Sequence, residues 1–382
     1  MRTFIYYFLV FLFTESLYSQ SVKISIFNSV QVNSVTMDIK QGEYRLKSGD
    51  QTLGEYKKGG IFFITRTGNL LELRDRQNLI GKFEHIEFSS TASESVMILK
   101  PVNPLMDGVY FDDDFIIKAG SNRILIYNKI DMEKYIAAVI EAEGGNHAPF
   151  EYYKAQAVLV RTYTIKNMFK HAEEDFNLCD DVHCQAYKGR SSQNADILEA
   201  TRSTAGTVLI DQDSILVMSP FHSNCGGETS ASSLVWQKDL PYLESVKDPF
   251  CTQSLHATWS AKIPRSQWTT FINNYEAGKS YNPDGNYSFA SDHRSKSVKV
   301  NNIDLNLRSV RENFNFKSAF FSIQDNGNEL VFTGHGYGHG AGMCQEGAME
   351  MARVGYTWPD IIHFYFQHIF FADYRDMELH RY

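Results

Sequence analysis

No stretch of this chain is long and apolar enough to cross a bilayer. The longest apolar run near its start, residues 4–13, falls well short of the roughly 20 residues a spanning helix needs. It follows a basic Arg2 and leads to a small-residue exit around 16–20, so it reads as an export signal over residues 1–20, with no membrane span expected in the mature chain. Positive charge is also short: 37 Lys and Arg stand against 45 Asp and Glu, a formal net charge of −8. That balance argues against a polyanion-binding surface and hence against nucleic acid as a partner. Cysteine is scarce. In an oxidising compartment Cys179, Cys184, Cys225, Cys251 and Cys344 form at most two bridges and leave one thiol over. None lies near the expected cleavage point, so a lipid anchor is not indicated. Repeats and low-complexity tracts are missing as well. What is there is ordinary globular composition, 43% hydrophobic and 21% charged, in 382 residues, enough for two or three packed units.

Alternating runs at 22–27, 61–65 and 83–88, separated by glycine and polar turns, predict strands of a small β-rich unit over 21–95, with 89–95 as a linker. Residues 96–127 continue in strands. Helix signals begin at Asp131, an N-cap, with Met132, Tyr135, Ile136, Val139 and Ile140 at helical spacing and Gly144-Gly145 as the stop. A second helix opens near Pro149 and runs to about 171. Residues 195–205 read as helix, 206–221 as two strands around a polar turn at 211–213, and 255–330 as a weaker mixed region. A strand at 329–333 enters a glycine-rich loop followed by a helix over about 343–353, and Thr357-Trp-Pro-Asp360 has the form of a capping box. The expected fold class is α+β: the small N-terminal β-rich unit beside a larger domain over 96–382 that carries the 255–330 region as an insertion.

At ~100° per residue, Glu143 falls at the centre of the stripe formed by Met132, Ile136 and Val139, while Glu141 points away to solvent. A carboxylate on the buried face of a helix end is either an acid/base group or half of a structural ion pair with Arg161 or Lys154 on the next helix. That second helix offers Gln156, Arg161 and Tyr163 as polar groups to face a cleft. Cys179 and Cys184 with His183 between them, and His171 eight residues upstream of Cys179, supply two thiolates and two imidazoles for zinc; a short-loop disulfide or free thiols is the alternative. Cys225 and Cys251 are expected to form a bridge.

Six blocks of the chain go further. Tyr135-Ile-Ala-Ala-Val-Ile-Glu-Ala-Glu143 is followed by Lys154-Ala-Gln-Ala-Val158 with Arg161-Thr-Tyr163, and then by Cys179-Asp-Asp-Val-His-Cys-Gln-Ala-Tyr187. Phe221-His-Ser-Asn-Cys-Gly-Gly-Glu-Thr229 with Pro241-Tyr-Leu-Glu-Ser-Val-Lys-Asp-Pro249, and Gly334-His-Gly-Tyr-Gly-His-Gly-Ala-Gly-Met-Cys-Gln-Glu-Gly-Ala348, complete the series. In kind and order these blocks resemble the sporulation stage II protein D (SpoIID)/LytB family over roughly 110–370. The resemblance implies a SpoIID-like domain of either a lytic transglycosylase acting on glycan strands without stem peptides, or an enhancer of cell-wall amidases. The catalytic glutamate of the former falls on Glu143, and a structural zinc occurs in some members. The implied partners are peptidoglycan glycan strands and a cell-wall amidase, in the cell envelope or outside it. Many members have Met-Pro where this chain has Gly144-Gly145, and often Ser at the positions of Cys225 and Cys344.

In the last block Gly336-x-Gly-x-x-Ala341 loosely fits a dinucleotide fingerprint, but the rest of a βαβ unit and the acidic residue are missing. The glycines instead bring the backbone, His335 and His339 close to a sugar strand, with Gln345 following. His222 and Ser223 are expected in the same cleft. As a nucleophile pair these two are disfavoured, because adjacent residues rarely point the same way.

Overall fold

In the strand Ser34–Gln41, Val35, Met37 and Ile39 are buried in turn, the period-two pattern that seats one face of a sheet on a core. The computed structural model describes residues 20–236, 238–275, 282 and 285–377; apart from Gln20, the expected export signal lies outside the described residues. Two sheets enclose this first core. One runs Leu178–Cys179, Ser21–Ile26, Ile124–Asp131, Asp114–Ala119, His85–Ser90, Glu43–Ser48, Gln51–Lys57. The other runs Val109–Asp112, Val96–Asn103, Ser34–Gln41, Ile61–Thr67, Leu70–Arg74, Leu79–Phe83. Phe62 and Phe88 join them edge to face at 5.0 Å.

No boundary falls at residue 95. Val96–Asn103 pairs with Ser34–Gln41, and Ile124–Asp131 pairs with Ser21–Ile26, so the β unit extends to residue 131. The polar stretch expected as a linker is a strand end and a short connection in which Ser95 is fully buried.

From there the chain enters α1 (Met132–Gly144), capped by Asp131 Oδ1, which accepts from the backbone N–H groups of Glu133 (2.9 Å) and Lys134 (3.0 Å). α2 (Phe150–Lys166) starts after Pro149 and ends five residues earlier than its sequence suggests, so that a 3₁₀ turn at Ala172–Glu174 delivers His171. α3 (Ala195–Ser203) follows, then the strand Thr207–Ile210, which pairs with Phe370–Asp373 and also meets residues 215–217 across the expected polar turn through an antiparallel bridge, Ile210 to Leu216. After α4 (Ser232–Val235), residues 258–335 build a second core around Trp268, Leu305, Phe316 and Phe332, with α5 (Arg265–Tyr275) and α6 (Leu307–Phe314) beside the sheet Thr258–Pro264, Glu329–His335, Phe321–Asp325. α7 (Gln345–Arg353) and α8 (Trp358–Tyr365) return to the first core, α8 opening on the expected Thr357/Asp360 capping box.

Arg161, expected to face a cleft, is instead a fully buried tie. Its guanidinium meets Glu133 of α1 (Nε–Oε1 3.1 Å, Nη2–Oε2 2.5 Å) and donates to the carbonyls of Thr201 (2.9 Å) and Thr207 (3.1 Å). Lys154 pairs with Glu151 on its own helix. Removing the acid half of a buried pair leaves an uncompensated charge at a cost of about 3–5 kcal/mol. Glu133→Ala should therefore lower the unfolding free energy by about 3 kcal/mol in chemical denaturation, and a loss below about 1 kcal/mol would refute the tie.

Candidate functional site

α1 ends at a glycine pair with two separate duties. A Cβ on Gly144 would stand 2.4 Å from the Tyr152 hydroxyl, so only glycine lets α2 come this close; Gly145, at φ 73°, turns the chain out of the helix. On the last turn sits Glu143, half-buried. Its Oε1 accepts from the backbone N–H of Ala186 at 3.1 Å, while Oε2 has no hydrogen-bond partner among the described residues and is not enclosed. Gln345, the first residue of α7, points its amide at the Glu143 carbonyl at 3.4 Å. Burial raises the Tyr152 phenol far above its usual range, with Gln345 nearby as its polar neighbour, though no full hydrogen bond to its hydroxyl is made.

The ion-pair reading of Glu143 fails. Both cations proposed for it are taken, Arg161 by Glu133 and Lys154 by Glu151. Glu141 is not the solvent-facing control expected from the helical wheel: its carboxylate accepts from Ser191 Oγ (2.8 Å) and from the N–H groups of Ser192 (3.2 Å) and Gln193 (3.2 Å). The wheel misjudges it because residues 135–140 are buried on every side of α1, which packs on strands, α2 and α3 together.

The loop that holds Glu143 also carries the sulfur and imidazole set. The Cys184 sulfur lies 3.4 Å from His171 Nε2, and His183 Nδ1 lies 3.7 Å from both Cys179 and Cys184 sulfurs. All four ligand atoms fall within 4.8 Å of one another, and both thiols are free. Glu174 grips the other nitrogen of His171 at 2.6 Å and Phe176 stacks on its ring, the outer support a metal-binding imidazole needs. Tyr163, placed beside these sulfurs, has its phenol pushed up to about 12 by burial and by Cys184 and Cys179. It belongs to this cluster. Asp180 fastens the loop to the first sheet's end by accepting from Phe27 (2.6 Å) and Asn28 (3.2 Å) N–H groups.

The remaining expected residues are split. Gln156 is wholly buried, with neither amide atom hydrogen-bonded, so it lines the core and not a cleft. His222, nearly buried, donates from Nδ1 to the Ala341 carbonyl (3.1 Å), and the Ala341 N–H donates to His339 Nδ1 (3.1 Å); the two rings lie 5.5 Å apart. His339 lines a cavity of about 230 Å³ with Trp236, Arg294 and Arg311. His335 rests on Phe320, and Ser223 serves through its carbonyl, which accepts from the Glu346 N–H at 3.1 Å. No hydrogen bond or ring contact joins these four residues to Glu143 among the described residues. A wider cavity of about 780 Å³ opens at the opposite end of α1, around Asp131, Glu133 and Arg202. Its size carries no weight here, since its acids cap the helix and pair with buried or neighbouring cations. Residues missed in the sequence are Tyr152 and the backbone of Ala186: the first reads as one of 21 tyrosines, and the second has no side-chain signal.

A family model described as Stage II sporulation protein, SpoIID, matches residues 120–210, the span from the last strand of the β unit through α1, α2, the sulfur loop and α3. The chain is 27% identical over 319 residues to stage II sporulation protein D of Bacillus subtilis, covering 76% of this chain and 89% of that one. It is 30% identical over 256 residues to the protein of the same name in Bacillus amyloliquefaciens, covering 62% and 73%. An amidase enhancer of Bacillus subtilis matches at 25% identity over 272 residues, 56% of this chain and 37% of that protein.

Burial, with Arg311 and Arg294 close by, pushes the His339 imidazole down to about 4, and burial with His339 and Arg294 pushes His222 well below the usual range. Both are neutral in the fold at neutral pH. Unfolded, they take up protons near pH 6.5, so stability falls as the pH drops from about 6.5 toward 4, and no further loss comes from His339 below that. His339→Gln should flatten this acid limb in a series of melting temperatures against pH; an unchanged slope would remove His339 from the cause.

Proposed function

From the premise that the chain belongs to the stage II sporulation protein D family, we propose that this protein of the bacterial cell wall is a lytic transglycosylase, cleaving peptide-free glycan strands with Glu143 as its one acid/base. The observation that carries the reading is a carboxylate at a helix end with no cation paired to it among the described residues, one oxygen fixed by the Ala186 N–H and the other without a partner among them. Protonated, the free oxygen delivers its proton to the glycosidic oxygen between N-acetylmuramic acid and N-acetylglucosamine as that bond breaks. As carboxylate it then takes the proton of the muramic acid 6-hydroxyl, whose oxygen closes on the anomeric carbon to give a 1,6-anhydro end. Proton and electron pair are both returned, so water and a second carboxylate are not needed. Glu141, whose oxygens already serve residues 191–193, is not available for the task.

His171, Cys179, His183 and Cys184 fit a structural zinc: two thiolates and two imidazoles at mutual spacings close to those of a tetrahedral site, with no open position. Such an ion supplies order to the loop, not chemistry. Because Ala186 follows Cys184 by two residues, that order is passed to Glu143. The amidase-enhancer relative favours a second reading, in which the chain binds glycan and stimulates an amidase without cutting. Under either reading it acts in the envelope or outside the cell.

The test is mass spectrometry of peptide-free strands incubated with the purified chain. Wild type should release anhydro-ended fragments, and Glu143→Gln should lower the rate by about 10⁴-fold or more while keeping its melting temperature, whereas Glu199→Gln on the exposed side of α3 should be near wild type. Full turnover by Glu143→Gln ends the acid/base assignment. Binding and amidase stimulation with no product from wild type would favour the enhancer. A zinc chelator should lower both melting temperature and turnover, with zinc restoring them; indifference of both to chelation would reject the ion.

A further inference from the structure

A second set of ligand atoms converges in the core between the start of α7 and the segments 221–229 and 241–251. The sulfurs of Cys225, Cys251 and Cys344 and a carboxylate oxygen of Asp248 all lie within 4.8 Å of one another. Cys225 Sγ is 3.3 Å from Cys251 Sγ and 3.2 Å from Asp248 Oδ2. The three cysteines are wholly buried and unbridged, and Asp248 is 1% exposed. The bridge expected between Cys225 and Cys251 is thus not formed. A third cysteine, 119 residues beyond Cys225, and an aspartate have joined the pair.

We propose that Cys225, Cys251, Cys344 and Asp248 bind one zinc ion in a closed tetrahedral site, independent of the reaction proposed above. Zinc holds thiolate sulfur at about 2.3 Å and carboxylate oxygen at about 2 Å, which sets neighbouring ligands about 3.5–3.8 Å apart. The Cys225–Cys251 and Cys225–Asp248 separations, 3.3 and 3.2 Å, fall within a few tenths of an ångström of these values, and all four donors lie within 4.8 Å of one another. Three soft thiolates exclude calcium and magnesium, and four donors this close enclose one ion with no room for the sulfides of a cluster.

The surroundings are those of a charged sulfur site, not of three neutral thiols. The N–H groups of Cys225 (3.2 Å) and Gly347 (3.4 Å) point at the Cys344 sulfur, and that of Gly227 (3.3 Å) at the Cys251 sulfur. Cys344 is also the N-cap of α7, where the helix dipole favours a thiolate. Asp248 is oriented by the Phe250 N–H on Oδ1 (2.9 Å) and the Tyr365 hydroxyl on Oδ2 (2.9 Å). A Cβ on Gly347 would stand 2.4 Å from that carboxylate, so the helix start is shaped to admit it.

Charge balance is an independent argument. Arg294 is buried, yet among the described residues its hydrogen bonds go only to neutral oxygens, the carbonyls of Cys225 (2.7 Å) and Glu228 (2.6 Å) and the Ser230 hydroxyl (3.2 Å). A buried cation needs an anion nearby. A divalent ion with three thiolates and a carboxylate carries a net charge of −2, and Arg294, bonded to the carbonyl of one ligand residue, stands beside it.

The test is metal content of the full chain, purified under reducing conditions with zinc supplied. His171→Ala/Cys184→Ser, which disables the other cluster, should retain one equivalent of zinc; adding Cys251→Ser and Cys344→Ser should remove it. Cobalt in the first variant should show the thiolate charge-transfer band of a tetrahedral three-sulfur site. A folded His171→Ala/Cys184→Ser chain without metal overturns the proposal, as does a Cys225–Cys251 disulfide found by alkylation of denatured, unreduced protein. Where a variant fails to fold, X-ray absorption on zinc-loaded wild type decides: more than two sulfurs per zinc on average supports the second site, and two or fewer overturns it.

Discussion

The buried guanidinium of Arg161 holds α1, α2 and α3 in one arrangement. It takes its charge partner, Glu133, from the first turn of α1 and gives its remaining donors to the Thr201 carbonyl in the last turn of α3 and to the Thr207 carbonyl at the start of the strand beside it. With the first turn of α1 fixed, the direction of the helix and the position of its last turn follow. The glycine pair then decides how near Tyr152 and α7 approach. Glu143 is therefore positioned from both ends of its helix, while the polar atom that touches its carboxylate comes from a different segment altogether.

Local chemistry was legible in the sequence where a side chain answers its own backbone. Asp131 caps α1, Gly145 takes the positive φ that ends it, and Thr357 and Asp360 make the box that opens α8. What was not legible depends on distant chain. Strands 96–131 complete sheets begun at residue 21, a pairing that no local pattern announces, so the boundary at 95 does not exist. Arg161 and Gln156 look like cleft residues in a polar-containing helix, but α2 is covered on nearly all sides and buries both. The helical wheel likewise needs one solvent face, which the middle of α1 lacks.

Cysteine arithmetic shows the same limit. Five thiols behind an expected export signal suggest bridges, and the Cys225–Cys251 pairing rests on that and on a cysteine at a position where the resembled family usually has serine. Only the parallel pairing of Phe221–His222 with Met343–Cys344 brings the third sulfur alongside them, and only the return of α8 places the tyrosine that orients Asp248. The His171–Cys184 set was readable because its members lie within one short segment.

The strand Ser21–Ile26 sits between Ile124–Asp131 on one side and Leu178–Cys179 on the other. Every strand it pairs with is made long after it: Ser21 must wait for Asp131, and Ile24 for Leu178. Contacts this distant in sequence make folding slow, because a long loop must close before any ladder bond rewards it. Until then Val22, Ile24 and Ile26 form an apolar edge with nothing to cover it, the kind of edge that pairs with other chains. The same late event seats Cys179 on that strand and, seven residues on, brings Ala186 to Glu143. Biosynthesis therefore leaves the chain open, and its carboxylate unheld, until about half of its length has been made.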